Sequence, residues 1–238
     1  MENKTIEEKE LEQISIHEII WYMLIFSVLG LLTETVYGYA TTGILESRKG
    51  LVLGPFCPIY GAGAVIIISA LNKYKGQKVK LFIYGGILGD IVEYLLSYAL
   101  EAMYGSRFWN YNNFLNVNGR ICLTYTIFWG ILSIVLINVV KKQIDKIINK
   151  IQGKGVKIID TILALFFIID IVLTIWATSG YKVRAKQAYY NVKIFDEPSI
   201  SAKLANTVFP NEVMENIFPN LRFIDEKGNE IMIRDVLK

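Results

Sequence analysis

"LFIYGGILGDIVEYLLSYALE", residues Leu81–Glu101, is long enough to cross a bilayer and largely apolar, yet Asp90 and Glu93 lie in its interior and Glu101 closes it. A membrane helix takes about 20 residues. At about 100° per residue, Asp90 and Glu101 fall about 20° apart, and Glu93 and Ser97 share their stripe, which spans about 80°. The opposite face is Leu, Ile and Val. A helix with one acidic face and one apolar face belongs in a bundle rather than alone in lipid.

The rest of the chain supports that reading. Hydrophobic residues make up 53% and charged residues 20%, and the mean hydropathy is +0.38. The apolar residues fall in blocks, which predict spans at about 19–39, 55–71, 81–100, 121–140 and 158–179. Only helices or closed barrels satisfy their backbone in lipid, and these blocks read as helices. The expected fold is an all-α polytopic membrane bundle of about five transmembrane helices, with a short α/β or irregular C-terminal tail. Residues 1–18 form an acidic leader, 19–180 the membrane domain and 181–238 the polar tail. The leader carries Glu7, Glu8, Glu10 and Glu12, which is unlike the basic start of a signal peptide. Thr5 and Glu8 have the spacing of a capping box.

Lysines orient the chain. Lys73, Lys75, Lys78 and Lys80 follow the second block; Lys141, Lys142, Lys146, Lys150, Lys154 and Lys157 follow the fourth. The positive-inside rule puts these loops and the N-terminus in the cytoplasm. Five spans then leave the tail outside, although Lys182, Arg184 and Lys186 follow the fifth block directly. The net charge of +3 is accounted for mostly by these lysines, so it does not point to nucleic acid. The abundance of Ile, Lys and Asn suggests a bacterial source, hence a bacterial plasma membrane.

"GPFCPIYGAG", residues 54–63, breaks helices where the second span should begin. Irregular backbone at membrane depth is tolerated where it is buried in protein or lines a wet cavity. On that reading Gly54, Pro55, Cys57, Pro58, Tyr60 and Gly61 form a re-entrant or unwound cavity mouth. A tight extracellular turn with Pro at the helix start is the other reading.

"KGLVLGPFCPIYGAG" and "RFWNYNNFLNVNGRICLTYTIFWG" resemble the signature segments of the type IV ABC-transporter permease family, also called CmpB-like. The carboxylates in "FSVLGLLTETVYG" and "FFIIDIVL" fit the same family, and the resemblance covers about residues 16–184. Lys49 and Asn110 depart from it, standing where Arg and Asp are usual. The resemblance implies a permease subunit partnered by a separate ATPase, which this sequence does not itself contain: no G-x-x-x-x-G-K-[ST] occurs.

Glu34 lies inside the first span and Asp170 near the middle of the fifth. A charge at the bilayer centre costs about 2.5–3.5 kcal/mol on the insertion scale. Glu34, Asp90, Glu93 and Asp170 are therefore expected to face one another across the bundle. They would line a cation, proton or cationic-solute pathway, or form a buried structural network, with Arg120 the best cationic partner. Trp109, Tyr111, Asn118 and Gly119 belong to the outer loop, an aromatic belt or a lid. Cys57 and Cys122 both begin spans and are expected close together, as buried thiols or as a disulfide. His17 reads as interfacial. The tail segment "RFIDEKGNEIMIRD" reads as two short strands around Lys227-Gly228.

No H-E-x-x-H, G-x-S-x-G or metal-ligand motif occurs, so neither an enzyme, a metal nor a cofactor is expected. The expected function is that of a permease-like subunit moving a small solute or ion through a carboxylate-lined site. The alternatives are a non-transporting assembly or sensor protein, or a membrane enzyme using paired carboxylates. The expected partners are the lipid bilayer, a separate ATPase subunit and further copies of the chain.

Overall fold

The computed structural model describes residues 14–104, 110–111, 115–192 and 199–238. The Thr5–Glu8 box and Trp109 lie outside the described residues. Helix α1 (Ile16–Thr42) starts at a capping box formed by Ser15 and Glu18, and ends where Gly43 turns left-handed at φ 71°. Helix α2 (Pro58–Leu71) begins on Pro58, whose fixed φ and missing N–H suit the first helical position. Helix α3 spans Lys78–Tyr104. A two-residue ladder, β1 (Asn116–Val117) with β2 (Ile121–Cys122), leads into α4 (Leu123–Ile148). Helix α4 contains a π turn at Leu136–Val140. Helix α5 (Val156–Tyr190) is the longest at 35 residues.

Helices α1 and α2 pack as one antiparallel hairpin and α3 and α4 as another, with α5 beside α1. Close approach explains both hairpins. A Cβ on Gly61 would fall 2.5 Å from Ser27 Oγ, and one on Gly85 2.3 Å from Ser133 Oγ. Small residues at these crossings let membrane helices pack tightly.

By length and composition, α1, α4 and α5 can each cross a membrane. Helix α2, at 14 residues, is shorter than the about 20 a full span takes. Helix α3 is long enough at 27 residues, but its charges lower its hydropathy. The count supported by length and apolarity is thus three.

Polar contacts join the elements where α1 and α5 begin and α4 ends. His17 Nδ1 lies 2.8 Å from Asp160 Oδ2, and Trp21 Nε1 donates to Asp160 Oδ1 at 2.9 Å. Tyr22 donates its hydroxyl to Asp145, which also takes Lys141 Nζ at 2.6 Å. In the π turn, Asn138 Oδ1 accepts the N–H of Gly76 at 2.9 Å. His17 is therefore an anchoring residue that ties α1 to α5.

Helix α5 runs without a break past residue 181, so the membrane domain and tail share one helix. Beyond it come α6 (Ile200–Val208), α7 (Asn211–Ile217), β3 (Arg222–Ile224), β4 (Glu230–Met232) and α8 (Ile233–Val236). Strands β3 and β4 pair antiparallel about a turn in which Gly228 is left-handed at φ 84°, matching the hairpin read from the sequence. Phe223, Met214 and Ile233 from the tail are buried with Tyr181 and Ala185 of α5 and with Val52. Each such apolar side chain contributes about 1.5–3 kcal/mol when fully buried. The tail therefore docks on the membrane domain through a shared core.

Candidate functional site

The segment between α1 and α2 is tied down by hydrogen bonds at several points. Leu51 is 2% exposed. Val52 N–H donates to Thr174 Oγ1 at 3.0 Å, and Leu53 N–H to Asp170 Oδ1 at 2.9 Å. Gly50 N–H donates to Phe56 O at 2.9 Å, and Cys57 N–H to Ser27 O at 3.1 Å. Gly54 is left-handed at φ 64°, which glycine adopts without strain. Phe56 packs on the rings of Phe166 and Phe167, with centroids 5.9 and 5.2 Å away. Asp170 stands about 20 Å along α5 from its start, at the usual 1.5 Å rise. The segment thus lies along α5, and two of its backbone donors find hydrogen-bond partners in the side chains of Thr174 and Asp170. Pro55 and Pro58 bracket its exit into α2.

The tail closes the segment's other end. Arg234 Nη1 donates to Glu46 Oε1 at 2.7 Å, Asn220 Nδ2 to Glu46 Oε2 at 3.0 Å, and Ser47 Oγ to Ile217 O at 2.8 Å. The Arg234 hydrogen bond, reinforced by that of Asn220, holds the Glu46 carboxyl below its ordinary range. Asn229 and the backbone N–H of Lys227 do the same for Asp225 in the β3–β4 turn.

The four expected carboxylates take separate partners. Glu34 on α1 accepts the hydroxyl of Tyr60. Asp90 on α3 accepts Thr126 Oγ1 at 2.7 Å. Glu93, 8% exposed, accepts Tyr111 Oη at 2.6 Å and Trp129 Nε1 at 3.0 Å. Asp170, fully buried, accepts Leu53 N–H, and its Oδ2 has no hydrogen-bond partner among the described residues. Asp90 and Glu93 share the α3–α4 interface, whereas Glu34 belongs to α1–α2 and Asp170 to α5. The single converging cluster expected from the sequence is replaced by three sites, because α3 packs on α4 rather than on α5. None of these hydrogen bonds comes from a cationic side chain.

Arg120 is buried but serves a different partner from those expected. It donates to Ser97 Oγ at 2.9 Å and pairs with Glu101, its guanidinium lying over the rings of Tyr94 and Tyr98. Asn118 Nδ2 donates to Tyr94 Oη at 3.2 Å, and Gly119 is left-handed at φ 69°. Tyr111 stacks on Tyr125 with ring centroids 4.7 Å apart, so the outer-loop tyrosine is part of the Glu93 environment. Cys57 and Cys122 are both buried and free, one at the start of each hairpin's second helix.

Sequence reasoning missed four contributing residues. Thr174 sits one turn beyond Asp170, a spacing that placed it on the same face. Trp129 looked like one more apolar residue of α4, and its indole N–H only finds Glu93 through helix packing. Glu46 and Arg234 are too far apart in the chain for any local pattern to join them.

The sequence and this arrangement can be set against known proteins. Residues 21–175 match the model of the family described as "Putative ABC-transporter type IV". The chain belongs to this family. The match takes in α1 through most of α5, including all four carboxylates and the Gly54–Gly61 segment. No curated protein and no solved structure matches the chain. Family and apolar helices together make it a membrane protein related to transport.

Proposed function

We propose that the chain is a permease-like subunit of a bacterial plasma-membrane transporter, moving a small solute or ion past intramembrane carboxylates. The observation that carries this reading is the state of Glu93 and Asp170. Both are buried within helices, and among the described residues both are hydrogen-bonded by neutral donors. Carboxylates kept at that cost in membrane helices mark ion and solute pathways. The irregular segment against Asp170 fits it too, since transporters place broken backbone beside their sites.

In this reading α2 with its re-entrant approach and α3 complete five membrane passages. The N-terminus and lysine-rich loops face the cytoplasm, and the tail caps the outer side. Energy comes from a separate ATPase subunit, and the chain itself catalyses no reaction. The experiment is purification of the tagged protein from native membranes, with bound proteins identified and assayed for ATP hydrolysis. A stoichiometric ATPase supports the permease assignment; a folded sample without one removes the ATP-driven mechanism.

A further inference from the structure

The first helices of the two hairpins carry the same pattern. In α1 it reads Leu29-Gly30-x-x-x-Glu34-x-x-x-x-Tyr39-Ala40, and in α3 Leu88-Gly89-x-x-x-Glu93-x-x-x-x-Tyr98-Ala99. The approach to the second helix repeats as well: Gly54-x-x-Cys57-x-x-Tyr60 before and into α2, Gly119-x-x-Cys122-x-x-Tyr125 before and into α4. Both leading glycines are left-handed, at φ 64° and 69°. Both cysteines are buried and immediately precede the helix.

The helix crossing repeats with the pattern. Aligning the hairpins puts Ser27 opposite Gly86 and Gly61 opposite Thr126. Ser27 meets Gly61, where a Cβ would lie 2.5 Å from Ser27 Oγ; Gly86 meets Thr126, where a Cβ would lie 3.1 Å from Thr126 Cγ2. The small residue has changed helix while the crossing is kept. One turn beyond each glutamate, Gly38 aligns with Ser97. An arginine reaches each of these positions, though from different places in the chain: the Arg48 guanidinium, from six residues before Gly54, lies against Gly38, 2.9 Å from where a Cβ would be, and Arg120, one residue after Gly119, donates to Ser97 Oγ at 2.9 Å. Each glutamate accepts one tyrosyl hydroxyl, but the donors differ in register: Tyr60 serves Glu34, while Glu93 is served by Tyr111, on whose ring Tyr125, the counterpart of Tyr60, stacks. The outward positions agree too: Leu32 is 56% exposed and its counterpart Ile91 51%.

We infer that α1–α2 and α3–α4 are two copies of one unit, and that Glu34 and Glu93 are a single site position present twice. Each is a tyrosine-bonded carboxylate bordering the path of a cationic solute. This rests on the carboxylate-lined transport reading and adds its internal symmetry. The hairpins run in the same order, so they are parallel repeats, whose axis lies along the membrane normal. Here they meet where α2 packs on α3 and on the π turn. Asp90 has no counterpart, since Leu31 occupies its place in α1, and α5 with the tail stands outside the repeat.

The test uses the full chain in open membranes. In a C57A/C122A background, E34C and E93C are treated separately with a membrane-impermeant quaternary-ammonium methanethiosulfonate. The counterparts L32C and I91C serve as lipid-facing controls. Both glutamate positions are expected to react about tenfold or more faster than the controls, because reaction needs a solvated thiolate. Reaction at only one of the two overturns the equivalence while leaving a pathway in place. Reaction at neither above the controls overturns the pathway reading and the inference with it. A second measurement avoids substitution. The unaltered protein is treated with a water-soluble carbodiimide and a cationic amine, then mapped by mass spectrometry. Amide adducts at both Glu34 and Glu93 are expected, and adducts at one alone overturn the equivalence.

Discussion

Asp170 Oδ1 accepts the backbone N–H of Leu53 at 2.9 Å, joining the middle of the longest helix to a segment more than a hundred residues earlier in the chain. That bond and its neighbour from Val52 to Thr174 satisfy donors that have no helix or strand to serve them. An unsatisfied buried N–H costs about 1–3 kcal/mol. Asp170→Asn keeps an acceptor oxygen and Asp170→Leu does not. The leucine variant should be less stable than the asparagine variant by about that amount, read as thermal unfolding in detergent. Equal stability of the two would remove the anchoring role.

The two helix crossings respond differently to repair. Gly85→Ala drives a Cβ to within 2.3 Å of the Ser133 side chain, with the next atom, Trp129 O, at 3.3 Å. It should cost about 1–3 kcal/mol, as overpacking does, and Ser133→Gly should restore most of it. Gly61→Ala meets backbone as well, Met23 O at 2.6 Å. Ser27→Gly should therefore fail to rescue it. Double-mutant cycles in detergent check both; rescue at Gly61 would show that α1 yields.

Docking of the tail should weaken in acid. The Glu46 carboxyl is depressed mainly by the Arg234 hydrogen bond. A depressed folded pKa stabilises above the unfolded value, about 4.3 for glutamate, and that contribution disappears as pH falls through the folded value. Protection against hydrogen exchange in β3 and β4, corrected for the intrinsic rate at each pH, should thus be unchanged near neutrality and fall once pH drops below that of free glutamate. Glu46→Gln should accelerate exchange at neutral pH and flatten its acid dependence.

At the opposite end, Tyr22→Phe removes the hydroxyl that reaches Asp145 while Lys141 still holds the carboxylate. A hydrogen bond to a charged group is worth about 1.5–3 kcal/mol, so a loss of that order is expected in thermal unfolding. Tyr22→Phe combined with Asp145→Asn should cost less than the sum of the two single changes.

Much of the fold was legible because lipid simplifies the problem. Runs of Ile, Leu, Val and Phe mark helices, and the signature segments mark the family. The Gly-Pro cluster announces irregular backbone whose donors need partners. The β3–β4 hairpin shows in Lys227-Gly228 between alternating residues. Helix pairing was less legible. Nothing in the periodicity of α3 says that Glu93 faces Trp129 of α4 rather than Asp170 of α5.

The sequence by itself determined that the chain is helical, belongs in a membrane and carries Glu34, Asp90, Glu93 and Asp170 inside its apolar segments. Those are properties of local composition and spacing. Only the tertiary structure decided which partners those carboxylates take, that the loop folds back onto α5, and that Arg234 closes it through Glu46. It also gave the paired patterns of α1 and α3 their meaning, by showing that Ser27–Gly61 and Gly86–Thr126 are the same crossing. Such contacts depend on which helices are neighbours, and that is set by small-residue close packing between segments distant in the chain rather than by any one segment alone.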